Sequence, residues 1–138
     1  KTIQELFMNI FDEFPVFLKI TSIKFVLEKT VKFDGDIKKI IYASQEELLS
    51  FSKFVGITQS RLVILREDLS YKHRSNLGLD SSEDNVESEA ILSIKIKNKG
   101  LGFIFLESND KKTFSIDQAT DYLEFLSKII SNQIESLL

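Results

Sequence analysis

The densest set of polar and aromatic groups follows a short apolar run: Arg66, Asp68, Ser70, Tyr71, His73 and Arg74 fall within one stretch of chain. A phosphate is well served there by an arginine fork or by the N-terminus of a short helix. Ser88 adds a hydroxyl just ahead of a later strand. Upstream, Ser22 and Lys24 share one face of an alternating segment, and Tyr42 lies on the next one. Each of these residues also reads as an ordinary surface group. A run of charges is usually a solvated face, and Ser22 and Lys24 would be exposed on a strand near a sheet edge.

Catalytic patterns are missing. The single histidine, His73, has no nucleophile or carboxylate at motif spacing, and neither a phosphate-binding glycine loop nor a paired-histidine zinc motif occurs. The acidic run Asp80, Glu83, Asp84, Glu87 and Glu89 lacks the positional pattern and central glycine of a calcium loop, and has no basic partner in sequence. The chain is therefore expected not to be an enzyme, and to carry neither metal nor other cofactor.

Composition narrows the class. The 138 residues suffice for one domain with a sizeable core. A formal net charge of −3 argues against a general nucleic-acid binder, which needs a basic surface. Cysteine is absent, so disulfides and thiolate chemistry are excluded, which suits a reducing cytoplasm. No apolar run is long enough to span a membrane. The chain opens on Lys1 in a helical pattern, and is read as residues 1–138 of a longer polypeptide.

The elements that must position the polar groups follow from patterning. Thr2 to Glu5 reads as a capping box, and Ile3, Leu6, Phe7, Ile10, Phe11 and Phe14 form one helical stripe that Pro15 is expected to end. Residues 20–29 alternate as a strand, with Ile23, Phe25 and Leu27 on one face and Ser22, Lys24 and Val26 on the other. Asp34-Gly35-Asp36 is expected to make a hairpin turn into a second strand over 37–43. A second capping box, Ser44 to Glu47, starts a helix that runs to about Val55, with Gly56 as its left-handed cap. A third strand covers 62–66. Residues 68–89 are polar, with apolar anchors at Leu69, Tyr71, Leu77, Leu79 and Val86, and read as a functional or partly disordered loop. Strands over 90–96 and 101–106 then meet at a turn of Lys97 to Gly100. The second is apolar on both faces, with Leu101, Phe103 and Phe105 expected on one and Ile104 and Leu106 on the other, as a mid-sheet strand requires. Ser115 and Gln118 form the box that opens the final helix.

This order, together with the segments Thr21 to Leu27, Asp34 to Asp36, Leu62 to Asp68 and the tail with Asn109, Phe114 and Asp117, resembles that of GAF domains. The resemblance implies an α+β fold, an antiparallel sheet of about five strands, with terminal helices on one face and a ligand pocket on the other. It implies a pocket floor at Ser22, Lys24, Ile40 and Tyr42. The roof would come from 68–90, with Arg66, Asp68, Ser70, Tyr71, His73, Arg74 and Ser88 as ligand contacts. The cyclic-nucleotide signature of such domains is present in part: Asp110 stands where lysine is expected and Gln118 where glutamate is. The function so implied is a cytoplasmic sensor domain in bacterial signalling that reads a small ligand, a cyclic nucleotide such as cAMP or cGMP, and controls an attached cyclase, kinase or phosphatase. The alternative from another class is a ligand-free dimerisation module. A haem-binding form with His73 as axial ligand is a third. Homodimerisation is expected through the terminal helices, the last of which carries Ala119, Leu123, Leu126, Ile130 and Leu137 on one strip and Tyr122, Phe125, Ile129 and Ile134 on another.

Overall fold

The computed structural model describes residues 2–18, 20–30, 40–67, 77, 86–97, 99–115 and 120–137. Among them the elements run α1 (Ile3–Leu18), β1 (Ser22–Glu28), β2 (Ile40–Ala43), α2 (Gln45–Val55), β3 (Val63–Arg66), β4 (Ser88–Ile96), β5 (Lys99–Ser108) and α3 (Asp121–Leu137). The strands form one sheet in the order β2-β1-β5-β4-β3. The α+β class is as expected, but the sheet is mixed. β1 pairs with β2 in parallel, with Phe25 opposite Ile40 and Leu27 opposite Tyr42. Parallel neighbours need a crossover rather than a hairpin. The turn expected at Asp34 to Asp36 lies outside the described residues.

β5 is the central strand, antiparallel to both β1 and β4. Phe103, Ile104, Phe105 and Leu106 are all buried, so both of its faces are covered. On one face α1 and α3 pack over Ile23, Phe25, Leu27, Val63, Leu65, Leu92, Ile104 and Leu106. Phe7 and Phe11 meet Phe25 edge-on at centroid distances of 4.7 and 5.2 Å. On the other face Leu48 and Phe51 of α2 cover Val26, Ile64, Ile91, Phe103 and Phe105. Phe51 lies 5.4 and 5.5 Å from the Phe103 and Phe105 rings. Leu77, one of the expected anchors, is buried in this second core.

Several sequence expectations are corrected. α1 continues through Pro15 to Leu18. The local penalty of a helical proline is outweighed where Leu6, Phe7 and Ile10 are buried in the core. The β4–β5 turn places Lys97 in the left-handed region at φ 50°, while Lys99 and Gly100 already belong to β5. A bulge follows: Ile94 opposes Gly102 and Lys95 opposes Gly100, so Leu101 is the extra residue. A bulge breaks the strict alternation of faces, and Leu101 joins the α1/α3 core instead of lying beside Phe103. Gly102 is required at that place, since a Cβ there would overlap the Val26 carbonyl oxygen on β1. The described start of α3 is Asp121, with Glu124 N bonded to Thr120 O; residues 116–119, including Gln118 of the expected box, lie outside the described residues.

The caps of α2 are as read from the sequence. Glu47 N donates to Ser44 Oγ at 3.1 Å, Ser44 N donates to Glu47 Oε1 at 3.0 Å, and Gly56 closes the helix at φ 89°. The hydrogen bond from the Ser44 backbone holds the Glu47 carboxyl below its ordinary value of 4.5. That contribution to stability is fully present above pH 4.5 and is lost as pH falls through the lowered folded value. The stability gap between wild type and Glu47→Ala therefore narrows on acidification, measurable by urea denaturation at neutral pH and below pH 4 (roughly). In the same assay Gly102→Ala loses about 2 kcal/mol by overpacking against β1.

Candidate functional site

One rung carries polar residues on four of the sheet's five strands. The registers align Ser22 of β1 with Glu107 of β5, Glu107 with Glu89 of β4, and Glu89 with Arg66 of β3. At about 4.8 Å per strand the rung spans roughly 14 Å. All four residues lie on the α2 face, where the apolar cover of Phe51 gives way. Glu89 and Glu107 are both fully buried. Two carboxylates directly opposite on neighbouring strands repel, so each needs a cation. Lys24 Nζ lies 3.1 Å from Glu107 Oε1, and Ser22 Oγ donates to the same oxygen at 2.7 Å. Arg66 Nη1 lies 3.5 Å from Glu89 Oε1, and its guanidinium stands 5.8 Å over the Phe54 ring. Arg66 on the rung and Lys24 beside it, opposite Phe105 in register, thus flank the two carboxylates.

Of the residues singled out from the sequence, the structure brings together Ser22 and Arg66 on this rung, with Lys24 beside it reaching Glu107. Tyr42 and Ile40 do not join them. The parallel register sets both on the opposite face, where Ile40 is buried in the α1/α3 core and Tyr42 is 46% exposed. Ser88 also faces away: its Oγ donates to Asp110 O at 2.6 Å and accepts from Phe114 N at 3.3 Å, clasping the turn after β5. Asp68, Ser70, Tyr71, His73 and Arg74 lie outside the described residues. Glu89 and Glu107 were missed. Glu89 sat in a run read as a solvated loop without a basic partner, yet it is buried in β4 against Arg66. The signal that finds them is alternation carried outward from Ile91 and Phe105, which places both on the face of Lys24 and Arg66.

A second polar feature lies at the other end of the same face. Beyond Leu62 the edge of β4 has lost its partner β3, and α3 takes over. Ser127 Oγ donates to Ser93 O, and Lys95 N donates to Ser131 Oγ at 3.0 Å. The side chain of Lys95 lines clefts of about 240 and 230 Å³. Its ammonium donates to Thr58 O at 3.3 Å, and burial lowers its pKa from 10.5. Among the described residues no group of three or more His, Cys, Asp and Glu side chains is placed to hold a metal ion. No described helix is long and apolar enough to cross a membrane. On α3, Ile134 is fully buried in the core rather than on an outer strip, while Tyr122 and Phe125 are 50% and 59% exposed.

No family model matches the chain, and no curated protein or solved structure matches it.

The charge balance of the rung has a measurable consequence. Lys24→Met strands the Glu107 carboxylate in the core and costs about 3 kcal/mol. Adding Glu107→Gln restores most of the loss, because the uncompensated charge is gone. Chemical denaturation of the two single variants and the double variant checks this, with a coupling of at least about 1 kcal/mol expected.

Proposed function

We propose that this chain is a regulatory sensor domain of the GAF type, reading a small ligand at the rung end of the α2 face and acting on an attached output domain. The observation that supports this reading most is the rung itself. Four strands commit Ser22, Glu107, Glu89 and Arg66 to one line on an otherwise apolar face. Replacing buried ion pairs by apolar residues is often neutral or stabilising, so stability alone gives little reason to keep them. The segment between β3 and β4 leaves at Arg66 and returns at Ser88, so both its ends abut the rung, and residues 68–85 are the proposed roof.

The proposed ligand is a cyclic nucleotide, cAMP or cGMP. Lys24 and Arg66 offer charge-assisted donors to a phosphate, and the carboxylates of Glu89 and Glu107 accept from N–H and O–H groups of base and ribose. Arg74, outside the described residues, is the second proposed phosphate partner. Binding would exchange pairs within the rung for pairs with the ligand and bias a two-state equilibrium passed to the terminal helices.

A thermal-shift titration with each nucleotide tests the reading. A ligand at a hundredfold excess over its dissociation constant adds about 2.7 kcal/mol of apparent stability. Arg66→Ala and Arg74→Ala, titrated separately, are expected to show at least one loss of about tenfold in affinity. An unchanged melting curve at millimolar (roughly) nucleotide, far above useful affinities, would remove the cyclic nucleotide. The second reading, a ligand-free dimerisation module, is favoured by the exposed Tyr122 and Phe125 on α3. A wild type that sediments as a dimer and a Phe125→Glu variant that sediments as a monomer would support it.

A further inference from the structure

The cleft of about 240 Å³ lies between α2 and the Lys95 end of the sheet, away from the charged rung. Its walls are largely apolar, from Leu48, Leu49, Ile57 and Phe103, with amides and hydroxyls around them. Among the described residues none that lines it is acidic, and the one charge there is the half-buried Lys95. Among the described residues the Lys95 ammonium has no carboxylate partner; its hydrogen bond goes to the Thr58 carbonyl. A partly desolvated cation in such surroundings gains from an anion more than an exposed one does. The apolar walls favour an anion that brings an apolar body. The volume equals about eight waters at ~30 Å³ each, which suits a single ring or short chain rather than a peptide.

We propose that this cleft binds a small amphipathic carboxylate, with its head on the Lys95 ammonium and its apolar body against Leu48, Leu49, Ile57 and Phe103. The site is independent of the rung. It also touches the tie between sheet and helix, because the Lys95 amide is bonded to Ser131 of α3. An occupant therefore acts on the residue that fastens β4 to the C-terminal helix.

The test uses the whole 138-residue chain and two probes of one shape, phenylpropanoate and its neutral amide, followed by calorimetric or NMR titration. The acid is expected to bind with a dissociation constant of roughly a millimolar or tighter, as suits so small a ligand. The amide is expected to bind at least about tenfold more weakly, having lost the charge-assisted contact. Lys95→Met should bring acid and amide to equal affinity, while Lys112→Met, at an exposed turn away from the cleft, should leave their ratio unchanged. Leu49→Trp, at the exposed rim, should weaken both probes by filling the cleft. Equal affinity of the two probes for the wild type, no binding of either, or a ratio that survives Lys95→Met would overturn the proposal. Nucleotide binding without acid binding would leave the sensor reading standing and remove this one, and the converse holds as well.

Discussion

Ile104 and Phe105 are adjacent in β5, fully buried, and point to opposite sides of the sheet. That demand for cover on two faces sets the rest of the architecture. β1 and β4 flank it in the sheet, and cover is still needed above and below. One helical layer cannot bury both faces, so α1 and α3 take one side and α2 the other. Each buried phenylalanine or isoleucine contributes on the order of 2 kcal/mol, and β5 supplies several in succession. The two cores follow from this one constraint.

The charged rung sits where that apolar cover ends. Its energetic meaning differs from that of the cores. Desolvating four ionic groups costs several kcal/mol each before any pairing is regained, and the pairing must be well made to offset it. What the rung does supply is register. A slip of one residue along β5 would swing Glu107 into the core beneath α1 and α3, where a carboxylate has no partner, so the correct pairing is strongly favoured over its neighbours. A device that fixes register and keeps two carboxylates between two cations is also one whose pairs a polar ligand can exchange. The fold therefore joins specificity of pairing to a place where binding can act.

Much of this was legible in the residues. The capping box at Ser44 and the glycine at position 56 are local signals with local causes, and α2 follows them. The two-faced pattern of β5 placed it mid-sheet. Less was readable where a distant contact decides. The direction of β2 depends on a crossover and not on its own four residues. The bulge at Leu101 follows from the close approach of Gly102 to Val26, which no spacing within β5 announces. Proline at position 15 argued for a stop, and the packing of the stripe before it prevailed. The partner of Glu89 lies on β3, 23 residues away in sequence, so an acidic run looked solvated when one of its members was fully buried. Of the candidate site, the cations were visible as polar breaks in apolar strands; the carboxylates between them were not.

α3 is bound to the sheet by more than its apolar stripe. Ser127 and Ser131, one helical turn apart, satisfy backbone groups that β3 leaves open on β4. The rung at one end of β4 and this clasp at the other share a strand. The most direct test of the account is the map of backbone amide shifts during titration with cAMP and cGMP. The account predicts that the largest changes cluster at Ser22, Lys24, Arg66, Glu89 and Glu107, with smaller ones at Ser93, Lys95 and Ser131. Changes confined to other surfaces, or none at saturating nucleotide, would contradict it.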